Sequence, residues 1–334
     1  MTALGVLATA GGLILFVWCI RRIGLDQIRS GFAEIGWGLA TIVLLGGVRF
    51  ALRAVAWMLC VEPPHRLPFV EAFGAVIAGD ALGNLLPLGP IVSEPAKVAF
   101  VRHRLALGPA GTALAIENVL YTLSVAAMIA AGMAALLFVP EVPVRLREVS
   151  EAAIAAVAIL FLFTLALLWT RPAVVSHLAA RLLPGVGGER HVLRIRGLEE
   201  QIYSFASRRG AAMIPLIGAE LMFHVLGVAE AYITLWLLSP SGTPPLLVHA
   251  FIVETVNRLI IVVFKFVPLG AGVNEAGTAF LTGLLGLGTV VGTTIGLVRK
   301  VRILCWMAVG TVLLVRRGLT AGRVLAESQL DSPR

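Results

Sequence analysis

Long apolar stretches separated by short charged breaks dominate the chain. They run roughly over 2–20, 37–61, 68–86, 108–139, 151–170, 211–239, 245–265 and 289–315. About 20 consecutive apolar residues cross a ~30 Å hydrocarbon core as a helix. A helix is the form such a segment takes in lipid, because there it must satisfy its own backbone N–H and C=O groups. The pattern predicts an all-α, polytopic integral membrane protein of about eight transmembrane helices. Two shorter pieces, 91–103 and 274–286, each follow a Pro/Gly break and read as re-entrant or Pro/Gly-broken helices.

The same features come round twice, in the same order. Pro87-Leu88-Gly89 is followed by Glu94, and Pro268-Leu269-Gly270 by Glu275. Upstream, Ala72-Phe73 is echoed by Ala250-Phe251; downstream, Leu107-Gly108 is echoed by Leu287-Gly288, and each opens a long apolar span. Duplication predicts two repeats, 21–139 and 211–317. Around them lie a first helix over 1–20, a connecting helix in 140–170, a linker over 171–210 and a polar tail over 318–334. Parallel and inverted arrangements of the repeats both fit.

Composition sharpens this reading. Charged residues are 14% of the chain and hydrophobic ones 58%, whereas a soluble domain needs roughly 25% charged residues. The longest polar stretch, 171–210, is too short to build a catalytic domain. The net charge is +8, but the arginines gather at the ends of apolar segments, as the positive-inside bias requires, so no nucleic-acid partner is implied. Arg21 and Arg22 follow the first apolar stretch, which suits a retained helix better than a cleaved signal. A bacterial inner membrane is the expected location. The linker carries seven arginines against three glutamates and is expected in the cytoplasm. Within it Ile195, Leu198, Ile202 and Phe205 recur at helical spacing and predict a surface helix. Cys19, Cys60 and Cys305 lie in or beside apolar segments with no C-x-x-C, so neither a disulfide framework nor a metal site is expected.

Ionisable groups inside apolar spans cost about 2.5–3.5 kcal/mol each at the bilayer centre on insertion scales, so they mark candidate chemistry. Arg49 and Arg53 stand one helical turn apart. Asn84, Glu94 and Lys97 surround the first break, whose breakers are Pro87 and Gly89. Asn274 and Glu275 follow the second, broken by Pro268, Gly270 and Gly272. Glu117, Arg258 and Arg299 lie in neighbouring spans, and Arg299 or Arg258 is the expected cation for Glu275. Glu220, His224 and Lys300 lie toward span ends and are not singled out. Helix N-termini exposed at such breaks favour an anionic headgroup. No H-E-x-x-H, P-loop or G-x-S-x-G motif is present, and no enzymatic activity or cofactor is expected.

Several of these residues together resemble a family, the flippase-like membrane domain of lysylphosphatidylglycerol synthases and its stand-alone relatives. The likeness covers roughly 20–318. It rests on Asn84-Leu85-Leu86-Pro87 with Glu94 and Lys97, on Glu117, on Pro268 through Glu275, and on Arg299. The first half looks closest to the branch associated with hopanoid biosynthesis. Ser93 stands where the family usually has Gly, and Glu117-Asn118 where it commonly has Glu-Arg, which leaves Lys97 as the nearest basic position. No counterpart of the synthases' aminoacyl-transferase domain is expected, so the resemblance does not imply synthase activity. The resemblance implies translocation of a phospholipid or an isoprenoid- or hopanoid-type lipid between leaflets. A rival reading is a membrane partner or membrane-embedded enzyme of lipid biosynthesis, and a homo-oligomer is compatible with either.

Overall fold

The computed structural model describes residues 33–85, 89–139, 143–170, most of 196–205, 207–239, 244–265 and 267–318. Nine long helices are described, with no strand among the described residues. They are α1 (Gly38–Cys60), α2 (Phe69–Leu85), α3 (Gly89–Val101), α4 (Leu107–Leu137), α5 (Val144–Thr170), α6 (Gly210–Leu237), α7 (Leu247–Val263), α8 (Val273–Leu284) and α9 (Thr289–Arg316). A short 3-10 turn, Pro268–Gly270, precedes α8. By length and composition α1, α4 and α6 can each cross a membrane. The first helix over 1–20, Pro87, Ile195, Leu198 and the polar tail lie outside the described residues. The predicted boundaries hold to within a few residues except at α5, which starts at Val144 rather than 151.

Chain direction settles how the halves are related. Leu237 at the end of α6 packs against Gly38 at the start of α1, and Arg208 just before α6 pairs with Glu62 just after α1. The first helices of the two repeats therefore run antiparallel. Helix α3 returns along α2: Gly83 faces Ser93, Gly79 faces Lys97 and Gly74 faces Phe100. Helices α2 and α3 thus form a hairpin that enters from one end of the bundle and turns back. Helices α7 and α8 form its counterpart from the other end.

Cross-repeat contacts obey the same exchange. Helix α1 packs on α6; α9 packs on α2 just as α4 packs on α7; α9 meets α1 just as α4 meets α6. At the helix crossings Gly310 abuts Ile77 and Ala81, and Gly132 abuts Thr255. Gly132 and Gly310, like Ile77 and Thr255, are displaced by one constant offset along the chain. The repeats are inverted.

Each end has its own apolar core. At the hairpin-1 end, Trp57, Ala72, Ala75, Phe100, Ala113 and Leu216 are buried together. Phe205 of the linker joins them and Ile202 packs against the cluster, so this part of the predicted surface helix lies on the bundle. At the other end Ile42, Met133, Leu136, Leu235, Ile252, Leu281 and Ile295 form a second cluster. Basic segments gather at the hairpin-1 end, where Arg317 bonds Glu71 at 2.6 Å. Glu71 also accepts from His103 at 3.1 Å.

Candidate functional site

Between the two cores lies a charged layer. Each of α1, α4, α6 and α9 passes from one apolar cluster to the other, and each carries its ionisable groups at the crossing. On α1 these are Arg49 and Arg53; on α4, Glu117; on α6, Glu220, His224 and Glu230; on α9, Arg299, Lys300 and Arg302. Asn118 and Lys300 each lie about 16 Å along their helices from the N-terminus at ~1.5 Å per residue, which is mid-depth.

Arg53 is the hub on one side. Its guanidinium lies 2.8 Å from Glu117 Oε1 and 3.9 Å from Glu220. It donates to Asn118 at 3.2 Å and stacks on the Tyr121 ring at 3.7 Å. Asn118 in turn donates to Glu94 at 2.7 Å, and Lys97 donates to the other Glu94 oxygen at 2.8 Å. Asp80 accepts from Asn84 at 2.9 Å. Ser124 links His224 to Glu220, at 3.0 and 3.2 Å.

Glu254 is the hub on the other side. It meets three guanidiniums, Arg299 at 2.7 Å, Arg258 at 3.0 Å and Arg49 at 3.7 Å. Arg49 also reaches Glu230 at 3.2 Å, which Arg302 approaches to 2.5 Å. Gly227 leaves room for this crossing: a Cβ there would lie 2.6 Å from Glu254 Oε1. Phe223 lies between Arg49 and Arg258, 4.4 and 5.1 Å from its ring. The layer's formal charges balance, with Asp80, Glu94, Glu117, Glu220, Glu230, Glu254 and Glu275 against Arg49, Arg53, Lys97, Arg258, Arg299, Lys300 and Arg302, although Glu254 and Arg53 each serve several partners.

The second break has strained backbone at its centre. Leu269 and Gly270 both take φ of 56° and Gly272 takes 79°, and for leucine that conformation is costly. The Gly272 N–H donates to Glu275 at 2.8 Å, holding the first turn of α8. In the first hairpin Gly89 serves by close approach rather than by a left-handed φ, since a Cβ there would overlap the backbone of Gly83.

Most of the sequence-derived candidates meet in this layer, but their pairing differs from expectation. Glu275 pairs with Lys300 at 2.5 Å and with neither Arg299 nor Arg258, both of which go to Glu254. Asn274 sits against Gly270 in the break. Glu220, His224 and Lys300 belong to the layer although they read as span-end residues in the sequence. Glu254, Glu230 and Arg302 also belong, and their positions inside apolar helices were the only signal for them. Among the described residues no His, Cys, Asp and Glu group could hold a metal ion.

An inverted-repeat, all-α membrane protein with a mid-depth charged layer is the class these features define. The chain matches the lysylphosphatidylglycerol synthase TM region family over residues 3–310 and belongs to it. The match is to the membrane region that gives the family its name. No curated protein and no solved structure matches the chain.

Proposed function

We propose that this protein is a multi-pass protein of the bacterial inner membrane that moves a lipid or lipid-linked molecule between leaflets, without covalent chemistry. The observation that carries the reading is the charged layer, built by both inverted repeats around two helical hairpins that turn back inside the bundle. Secondary transporters place their substrate sites at such repeat interfaces, where broken helices expose polar backbone.

Access within the layer is uneven. The side chain of Glu94 is 32% exposed, against 0% for Glu275. Asp80, Asn84 and Glu94 are half-buried around the first hairpin. A headgroup entering there meets Glu94, Lys97, Asn118 and Arg53, and can exchange its own charges for their mutual pairs. A phosphate would take over Arg53 and Lys97 from their acids, and a cationic group would take over Glu94. Arg49 and Arg299 are buried against acids and act as a fixed frame. A shallow, open apolar groove between α1 and α9, lined by Val43, Leu44, Val301 and Cys305, suits an acyl, isoprenoid or hopanoid tail.

Reconstitution tests this. Purified protein in liposomes carrying a fluorescent-headgroup phospholipid should accelerate leaflet exchange, read by quenching of the outer leaflet, and Glu94→Gln should slow it at least tenfold. Exchange no faster than in empty liposomes would overturn the reading. Formation of a new lipid product instead would place the protein among membrane enzymes.

A further inference from the structure

Glu94 and Glu275 hold the same place in the two hairpins, yet the short helices that carry them dock differently. Helix α3 lies mainly on the helix before it, α2. A Cβ at Gly83 would stand 3.3 Å from Ser93 Cβ, and one at Gly79 would stand 2.5 Å from Lys97 Cγ, so two glycines one turn apart on α2 form that seat. Helix α8 lies mainly on the helix after it, α9. There Gly292 abuts Thr278 and Thr282, and a Cβ at Gly296 would stand 3.1 Å from Glu275 Cα. The paired glycines are on the preceding helix in one repeat and on the following helix in the other.

Burial follows docking. On α8, Glu275 and Thr278 are sealed against α9, while Glu94 on α3 keeps a third of its side chain exposed. The ion pairs differ in the same sense. Glu94 pairs with Lys97 on its own helix and carries its partner along. Glu275 pairs with Lys300 on α9, a bond that breaks if α8 leaves. Each short helix also already touches its other neighbour. Glu94 accepts from Asn118 on α4, and Gly277 on α8 faces Ile260 on α7.

We propose that α3 and α8 rock in opposite phase. In the state described, α3 sits on α2 with Glu94 reachable, and α8 sits on α9 with Glu275 sealed. In the other state α3 moves onto α4 and seals Glu94, while α8 moves onto α7 and uncovers Glu275. Inverted repeats make the two states each other's mirror in connectivity, so exchanging the conformations of the repeats converts one into the other. This deepens the translocation reading and rests on it: the two acids of one site are presented in turn.

The test locks one hairpin and watches the other. In a protein with Cys19, Cys60 and Cys305 replaced by Ala, Gly83→Cys and Ser93→Cys place two thiols within disulfide reach. Thr278→Cys then reports on the α8–α9 seam through its rate of modification by a water-soluble thiosulfonate. In proteoliposomes, oxidising the 83–93 pair should cut both leaflet exchange and Thr278→Cys modification at least tenfold, and reduction should restore both. If both are unchanged by oxidation while the reduced protein moves lipid, the rocking is overturned and the translocation reading stands. If modification falls on oxidation but the reduced protein moves no lipid, the rocking stands and the cargo assignment fails. No response in either measurement overturns both. Gly296→Leu, which blocks the α9 seat, checks the seam without a disulfide: Thr278→Cys modification should rise several-fold, and an unchanged rate counts against the proposal.

Discussion

Glu275 Oε1 lies 2.5 Å from Lys300 Nζ, and the carboxylate side chain is fully buried. Lys300 also donates to the Leu269 carbonyl at 3.2 Å, so one ammonium holds both the acid and the strained turn before it. Removing one partner of a buried pair leaves the other charge uncompensated, at a cost of about 3–5 kcal/mol. Glu275→Gln and Lys300→Met should each lower the melting temperature in detergent, and the double substitution should recover much of the loss. Equal and additive losses would show that the two residues act independently.

Glu254 has more to hold. Its carboxylate faces Arg49, Arg258 and Arg299, so Glu254→Gln leaves a cluster of guanidiniums to repel one another. The expected loss is at least that of Glu275→Gln, about 3–5 kcal/mol, read as abundance in the membrane or thermal stability. The Arg145–Glu148 pair, whose side chains are 95% and 61% exposed, is the control. Breaking it should shift stability by about 0–1 kcal/mol.

Glycines divide into two kinds, and substitution should tell them apart. A Cβ at Gly310 or Gly132 would press on α2 or α7, and Gly310→Leu or Gly132→Leu should destabilise by about 1–3 kcal/mol through overpacking. Gly111 on α4 and Gly218 on α6 have nothing within 4 Å of an added Cβ. Gly111→Ala and Gly218→Ala should be neutral or raise helix stability by roughly 0.5–1 kcal/mol. Thermal melts of the four variants check the division.

At the basic end the prediction concerns pH. Glu71 accepts hydrogen bonds from Arg317 at 2.6 Å and from His103 at 3.1 Å. A carboxylate that pairs with cations in the folded state contributes stability only while it is ionised, so that contribution is lost as acid protonates it. The melting-temperature gap between wild type and Glu71→Gln should therefore be widest near neutrality and close in the acid range. A gap that widens on acidification would contradict the pairing.

The helices were legible in the sequence because apolar length is what lipid selects, and the duplication was legible because both breaks kept Pro, Gly and Glu in order. Direction was not. Antiparallel repeats and parallel ones share one hydropathy profile, and only spatial pairs such as Gly38 with Leu237 decide between them. Partner choice was hidden for a related reason. Arg299 and Lys300 are neighbours in the chain, but one helical step turns them about 100° apart on α9. One reaches Glu254 and the other Glu275. Lys300 looked peripheral by its distance from the end of an apolar run, whereas the hairpin tip comes to meet it at mid-depth.

The charged layer also dictates the order in which the chain can settle in the bilayer. Arg49 and Arg53 leave the ribosome on α1, but their acids follow 64 residues later in Glu117 and 181 residues later in Glu230. At roughly 5–20 residues per second of synthesis, Arg49 waits about 9–36 s for its partner. Until Glu117 arrives α1 carries two unpaired guanidiniums, and afterwards Arg49 alone, at about 2.5–3.5 kcal/mol each in lipid. Although α1 is apolar enough to cross a membrane, that cost weakens its insertion until α6 arrives. The second half of this protein thus completes the insertion of the first, and a chain ending before α6 should be degraded faster than the full chain.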